Sequence, residues 1–141
     1  MRPHLLALLT AVAWGVGGYF EKKGLHQGNL APQVGAFLRT AVALLVLGLA
    51  SGTELRQLAA APARSWLAIG LGGGLAAGGL GILCFYAALR SAPIQQVMPI
   101  AFTAPLFGAL AAMLLGGEAI SLRTAAGMAL TLLGIALIAS R

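Results

Sequence analysis

Five apolar stretches, each near the length that crosses a bilayer, take up most of this chain and leave little else to fold. The hydrocarbon core is about 30 Å thick and an α-helix rises about 1.5 Å per residue, so a span needs about 20 largely apolar residues. Stretches at 4–20, 33–50, 66–89, 94–115 and 124–140 meet that need, each ended by charge, Gly or Pro. Only 9% of the residues are charged while 60% are hydrophobic. A soluble domain carries about a quarter charged residues to keep its surface wet, so lipid must solvate most of this chain. The fold class expected is therefore an all-α membrane protein with five transmembrane helices, running from 1 to 141 as a single transmembrane domain.

The formal net charge of +6 does not indicate a nucleic-acid partner. The nine basic residues stand singly or in pairs between apolar runs, with no basic face to track phosphates. Arg2 and the run from Leu5 to Val12 imitate a cleaved leader, but apolar residues continue to Phe20, so an uncleaved first helix is expected. The lone cysteine, Cys84, lies in an apolar run and reads as a buried, inert thiol. No nucleophile–base pair, phosphate loop or metal-ligand cluster is visible, so the expectation is a protein that is not an enzyme and carries no cofactor or metal.

Five spans put the termini on opposite sides. The side of the N-terminus then holds Arg2, Arg56, Arg64 and Arg123, and the other side Lys22, Lys23, Arg90 and Arg141, four against four. Arg39, inside the second stretch, makes the second side five at most. Orientation follows the Lys/Arg bias of short loops, and here that bias is close to zero. Insertion in both orientations, and with it an antiparallel homodimer, is compatible with such a count; a single orientation fixed by folding is the other reading.

Helices meet in lipid through small residues that let backbones approach. Gly70, Gly74 and Gly78 recur every four residues in the third stretch, Gly108 belongs to a small-residue stripe in the fourth, and Gly127 and Gly134 stand seven apart in the fifth. These six read as helix-packing positions. Pro99 and Pro105 in the fourth stretch each remove an amide donor, freeing the carbonyls of Gln95 and Ala101. Interrupted helices at membrane depth are where transporters place substrate, while a plain kink is the alternative. Ionisable residues at depth are costly and hence candidates for gating or coupling. Arg39 is the clearest, although it is shallow enough to snorkel. Glu21 adjoins Lys22 and Lys23 and suits a helix-end ion pair; Glu118 precedes the fifth stretch, where a carboxylate favours a helix N-terminus.

Several of these residues fall into an order that resembles the EamA type of the drug/metabolite transporter superfamily. The aromatic pair Phe85-Tyr86, then Ala88-Leu89-Arg90, Pro105-Leu106-Phe107, Gly117-Glu118, and Gly127 with Gly134 carry the likeness, supported by Trp14-Gly15 and Arg39. It covers essentially the whole chain. Most members of that family have ten helices in two oppositely oriented repeats, so this chain is similar to the short, half-size branch in which a second copy supplies the second repeat. The resemblance implies a transporter of small metabolites or drug-like solutes in the cell inner membrane, working by alternating access from a cavity between two copies. By analogy that cavity is lined by the first, third and fourth helices, which nominates Trp14, Tyr86, Met98 and Phe102, with Gln95 and Thr103 as hydrogen-bonding groups. One departure matters: the related four-helix multidrug exporters place a carboxylate inside the first helix, where Trp14 stands here, so proton exchange by that route is in doubt. The expected partners are a small-molecule substrate, the lipid bilayer and a second copy. A non-transporting subunit, or a lipid-carrier flippase component that pairs with another membrane protein, is the alternative.

Overall fold

The helices of this chain start and stop at backbone features that the apolar pattern alone does not reveal. In the computed structural model, which describes residues 3–117 and 119–139, every regular element is helical. The chain is an all-α membrane protein. Four helical stretches are long and apolar enough to span a bilayer: Pro3–Gln27, Pro32–Ala60, Ala63–Ser91 and Ile94–Gly116; Leu122–Ile138 is a shorter apolar helix. Glu118 lies outside the described residues, as do Arg2 and Arg141.

Helix α1 (Pro3–Gln27) continues past Phe20 through the charged Glu21-Lys22-Lys23 segment and through Gly24. Its stop is set by Asn29, which adopts a left-handed backbone with φ 46°. The Asn29 amide donates to the His26 carbonyl at 3.3 Å and the Leu30 amide to the Leu25 carbonyl at 3.0 Å. This pair of bonds is the Schellman arrangement, which satisfies carbonyls that the last turn would leave bare. Helix α2 (Pro32–Ser51) starts directly after it, with Pro32 in the first turn where a missing N–H costs nothing. Beyond α2 the chain tightens into a 3₁₀ turn (Gly52–Arg56) and a short helix, α3 (Gln57–Ala60), before Pro62 breaks it. The Trp66 indole then donates to the Leu58 carbonyl at 3.0 Å, tying the connector to the start of the third span.

The third span consists of α4 (Ala63–Leu67), a wide-turn π segment (Ala68–Gly81) and α5 (Ile82–Ser91). Its hydrogen bonds reach five residues back, which widens the turn relative to an α-helix. Glycine suits this winding, since a Cβ at Gly78 would come within 3.0 Å of the Gly73 carbonyl oxygen. Gly70, Gly74 and Gly78 all lie within this segment. Cys84, read from the sequence as buried, is a free, exposed thiol at the start of α5.

The fourth stretch is two helices, α6 (Ile94–Ala101) and α7 (Ala104–Gly116), followed by α8 (Leu122–Ala139). Pro105, in the first turn of α7, has no amide to offer Ala101, and the helix opens there at Phe102 and Thr103. Pro99 stays inside α6. The described chain forms two compact units: Tyr19–Ser91, and the described parts of 1–18 with 92–141, α1 passing from one into the other.

Candidate functional site

Within the Tyr19–Ser91 unit, the end of α1, the start of α2 and the end of α5 are knitted together by side chains. The contact begins with the absence of one. Gly35, buried in the first turns of α2, lets Leu25 and the Tyr86 ring close over it, and a Cβ there would lie 2.6 Å from Leu25 Cδ2 and 2.8 Å from Tyr86 Cε1. Leu25 and Tyr86 are each only 2% exposed, and Leu89 is fully buried, in a chain whose apolar side chains are otherwise mostly exposed.

Basic side chains finish the two helix C-termini that meet here. Lys22 Nζ donates to the Leu89 carbonyl at 2.7 Å, in the last turn of α5. Arg90 donates to the Asn29 side-chain oxygen at 2.6 Å and, more weakly at 3.4 Å, to the Leu25 carbonyl. Each cation meets a carbonyl-rich helix end, where the backbone dipoles favour positive charge.

Beside this knot lies an open cleft of about 530 Å³, lined by Phe20, Glu21, Leu25, Leu38, Arg39, Val42, Tyr86 and three further residues, Gly24, Leu30 and Gly35. Its walls are apolar except for one ion pair, Arg39 Nε to Glu21 Oε1 at 2.7 Å. Glu21 and Tyr86 both line the cleft. Adjacent positions on a helix do not face each other, so Glu21 turns away from Lys22 and Lys23 and meets α2 instead. Arg39 donates its Nε–H to Glu21 on α1. The sequence-based reading singled out Glu21 and Arg39 separately and missed their pairing, because it compared Glu21 only with its chain neighbours. It also missed Gly35 and Asn29. For Asn29 the Gly28-Asn29 pair next to Pro32 was a readable signal; for Gly35 a lone glycine one turn before Arg39 was the only one.

The other unit holds the remaining nominated residues. The Trp14 and Phe102 rings lie 6.2 Å apart, centroid to centroid, tilted by 33°. Phe102 occupies the opening between α6 and α7, and the Thr103 hydroxyl donates to the Ile100 carbonyl at 2.8 Å, capping the last turn of α6. Gln95 is exposed and Met98 half-buried on α6. The structure thus joins Trp14 to Phe102 at the helix break that Pro105 makes, and places Tyr86 in the separate Glu21–Arg39 cluster. Within their own units, Gly70, Gly108, Gly127 and Gly134 have no heavy atom within 4 Å of a Cβ built on them, beyond their own helix backbone. Among the described residues no three His, Cys, Asp or Glu side chains are grouped as for a metal ion.

A family model described as the EamA-like transporter family matches residues 1–140. No curated protein and no solved structure matches. The apolar spans agree with that match, which covers nearly the full chain. This multi-pass membrane protein belongs to the EamA-like transporter family.

Proposed function

We propose that the chain is a half-size transporter that moves small metabolites or drug-like solutes across the cell inner membrane by alternating access. Two copies, antiparallel in the bilayer, enclose the cavity. The observation that carries this reading is the family match over residues 1–140, where the described residues hold four apolar spans and one shorter apolar helix. Two further features support it. Small-residue positions such as Gly108, Gly127 and Gly134 face open space within their unit, as surfaces awaiting a second helix would. The basic count of four against four gives neither orientation an advantage.

In this mechanism Trp14, Phe102 and Thr103, grouped where the fourth stretch is interrupted, receive the solute, and Tyr86, Gln95 and Met98 complete the lining. Pro99 and Pro105 keep that stretch from closing into an unbroken helix. Glu21 and Arg39 gate from the cleft, with Glu118 as a further coupling candidate. The two states exchanged by rocking are equivalent by the symmetry of an antiparallel pair, so one sequence builds both gates. Reporter fusions at Arg141 test the arrangement: signal from both faces of the membrane is expected, and signal from one face alone refutes the antiparallel homodimer. Reconstitution into liposomes with a panel of solutes, with and without a proton gradient, tests transport itself.

A further inference from the structure

The cleft in the Tyr19–Ser91 unit combines apolar walls with one incompletely used guanidinium. Arg39 donates through Nε to Glu21, and its two terminal NH₂ groups have no hydrogen-bond partner among the described residues. Its side chain is 34% exposed against 19% for Glu21, so the arginine is the more accessible member of the pair. Both residues line the cleft. An arginine with unspent donors beside apolar surface is suited to an oxyanion, which two parallel N–H donors can grip.

The surrounding charge selects the sign of the ligand. Glu21 is the one carboxylate at this end of the unit, and Lys22 and Lys23 follow it on α1, Arg39 lies on α2 and Arg90 on α5. Four cations against one anion leave the region positive, with His26 adding to it when protonated. Low-dielectric walls focus such a field and raise the local concentration of anions. Lys22 and Arg90 are already turned to backbone carbonyls, which leaves Arg39 as the cation that faces the cleft.

We propose that Arg39 binds the carboxylate or phosphate group of an amphiphilic ligand whose apolar body lies in the cleft against Phe20, Leu38, Val42 and Tyr86. This names the charge class of the cargo or of a bound lipid, and it rests on the transporter reading only for what binding accomplishes. Glu21 then competes with the ligand for Arg39: the ion pair holds the guanidinium when the cleft is empty, and the ligand's oxyanion takes the terminal donors when it fills.

The test is equilibrium binding of radiolabelled benzoate to the full chain in nanodiscs of phosphatidylcholine, with phenyl phosphate and benzylammonium as competitors. Benzoate is expected to bind and to be displaced by phenyl phosphate but not by benzylammonium. E21Q removes the competing carboxylate and is expected to tighten benzoate binding about tenfold. The double variant E21Q/R39Q leaves no unpaired charge and so keeps the fold; it is expected to weaken binding at least about tenfold. Weaker binding in E21Q, wild-type binding in the double variant, or displacement by benzylammonium overturns the proposal. Adding phosphatidylglycerol to the nanodiscs separates the sources: inhibition of benzoate binding identifies a lipid headgroup, no inhibition a free solute, and either supports an oxyanion site. Failure here is distinct from failure of the transporter reading. Liposome flux of neutral or cationic solutes without benzoate binding removes the oxyanion site alone, whereas benzoate binding without flux of any solute removes transport alone.

Discussion

Adding one methyl group at Gly35 tests whether the knot between α1, α2 and α5 holds this unit together. A Cβ there would sit 2.6 Å from Leu25 Cδ2 and 2.8 Å from Tyr86 Cε1, about 1 Å inside the distance at which carbon atoms attract. Both neighbours, each 2% exposed, must shift to admit it, and the rigid Tyr86 ring can give less than the Leu25 methyl. Overpacking of this kind costs about 1–3 kcal/mol, against a gain of about 1 kcal/mol from replacing glycine by alanine inside a helix. Gly48, on the same helix, has nothing within 4 Å of its built Cβ, so Gly48→Ala collects the helix gain without the clash. The predicted gap between Gly35→Ala and Gly48→Ala is therefore about 1–3 kcal/mol, read as unfolding in detergent micelles followed by circular dichroism. Leu25→Ala combined with Gly35→Ala relieves one of the two clashes, so the double variant is expected to lose less than the sum of the singles, by a coupling of about 0.5–3 kcal/mol. If Gly35→Ala is as stable as Gly48→Ala, the close approach is not a feature of the folded protein and the reasoning fails.

Removing Arg39 alone, as Arg39→Gln, strands the Glu21 carboxylate and is predicted to destabilise by about 1–3 kcal/mol, less than a fully buried pair because Arg39 is a third exposed. Glu21→Gln with Arg39→Gln recovers part of that loss in the same unfolding assay; no recovery argues against the pair. Asn29→Gly and Asn29→Ala both lose the Arg90 contact, but glycine keeps the left-handed turn, so Asn29→Ala is predicted to cost about 1–2 kcal/mol more than Asn29→Gly from the φ of 46°. Equal stabilities for those two variants would deny the strain. Trp14→Ala removes the ring contact with Phe102, predicted to cost about 0.5–1.5 kcal/mol beyond the lost burial, and to weaken solute counterflow in liposomes. Pro105→Ala restores the amide that can reach Ala101; amide exchange at Phe102 and Thr103 is expected to slow, and counterflow with it. Unchanged exchange there would show that the opening does not depend on the proline.

Hydrophobicity made the membrane class and the approximate spans readable, because burial in lipid demands long uninterrupted apolar runs whatever their packing. The break near Pro105 was readable for the same kind of reason: a missing amide is a property of one residue. What composition could not supply were pairings between residues far apart in the chain. Glu21 beside Lys22 and Lys23 suggests a local ion pair, yet a helix turns neighbouring side chains in different directions, and only the α1–α2 approach brings Arg39 to it. The close glycine contact within the unit likewise falls at Gly35, which belongs to no repeat and so gave no pattern to read.

The position of these contacts bears on how the proposed second copy would meet the chain. The residues that hold the Tyr19–Ser91 unit together sit at one end of it: Asn29 turns the chain, Gly35 admits Tyr86, and Lys22 and Arg90 close the helix C-termini. Toward the middle of the spans the side chains are largely exposed, Leu44 at 70%, Leu45 at 67% and Ile69 at 72% among them. Lipid gives no hydrophobic drive for closing those flanks, so they stay open until packing with another helix repays the displacement of lipid. A unit pinned at its end and exposed along its length suits the proposed rocking mechanism, since the flanks can exchange neighbours while the pinned end keeps its geometry. On that argument, substitutions at Gly35 or Asn29 should lower stability and flux together, whereas bulky substitutions at Gly108 or Gly127 should suppress flux and association of two copies while leaving the stability of the single chain unchanged. Cross-linking yield against unfolding midpoint across these four positions checks it, and a Gly108 or Gly127 variant that loses stability but not association would refute it.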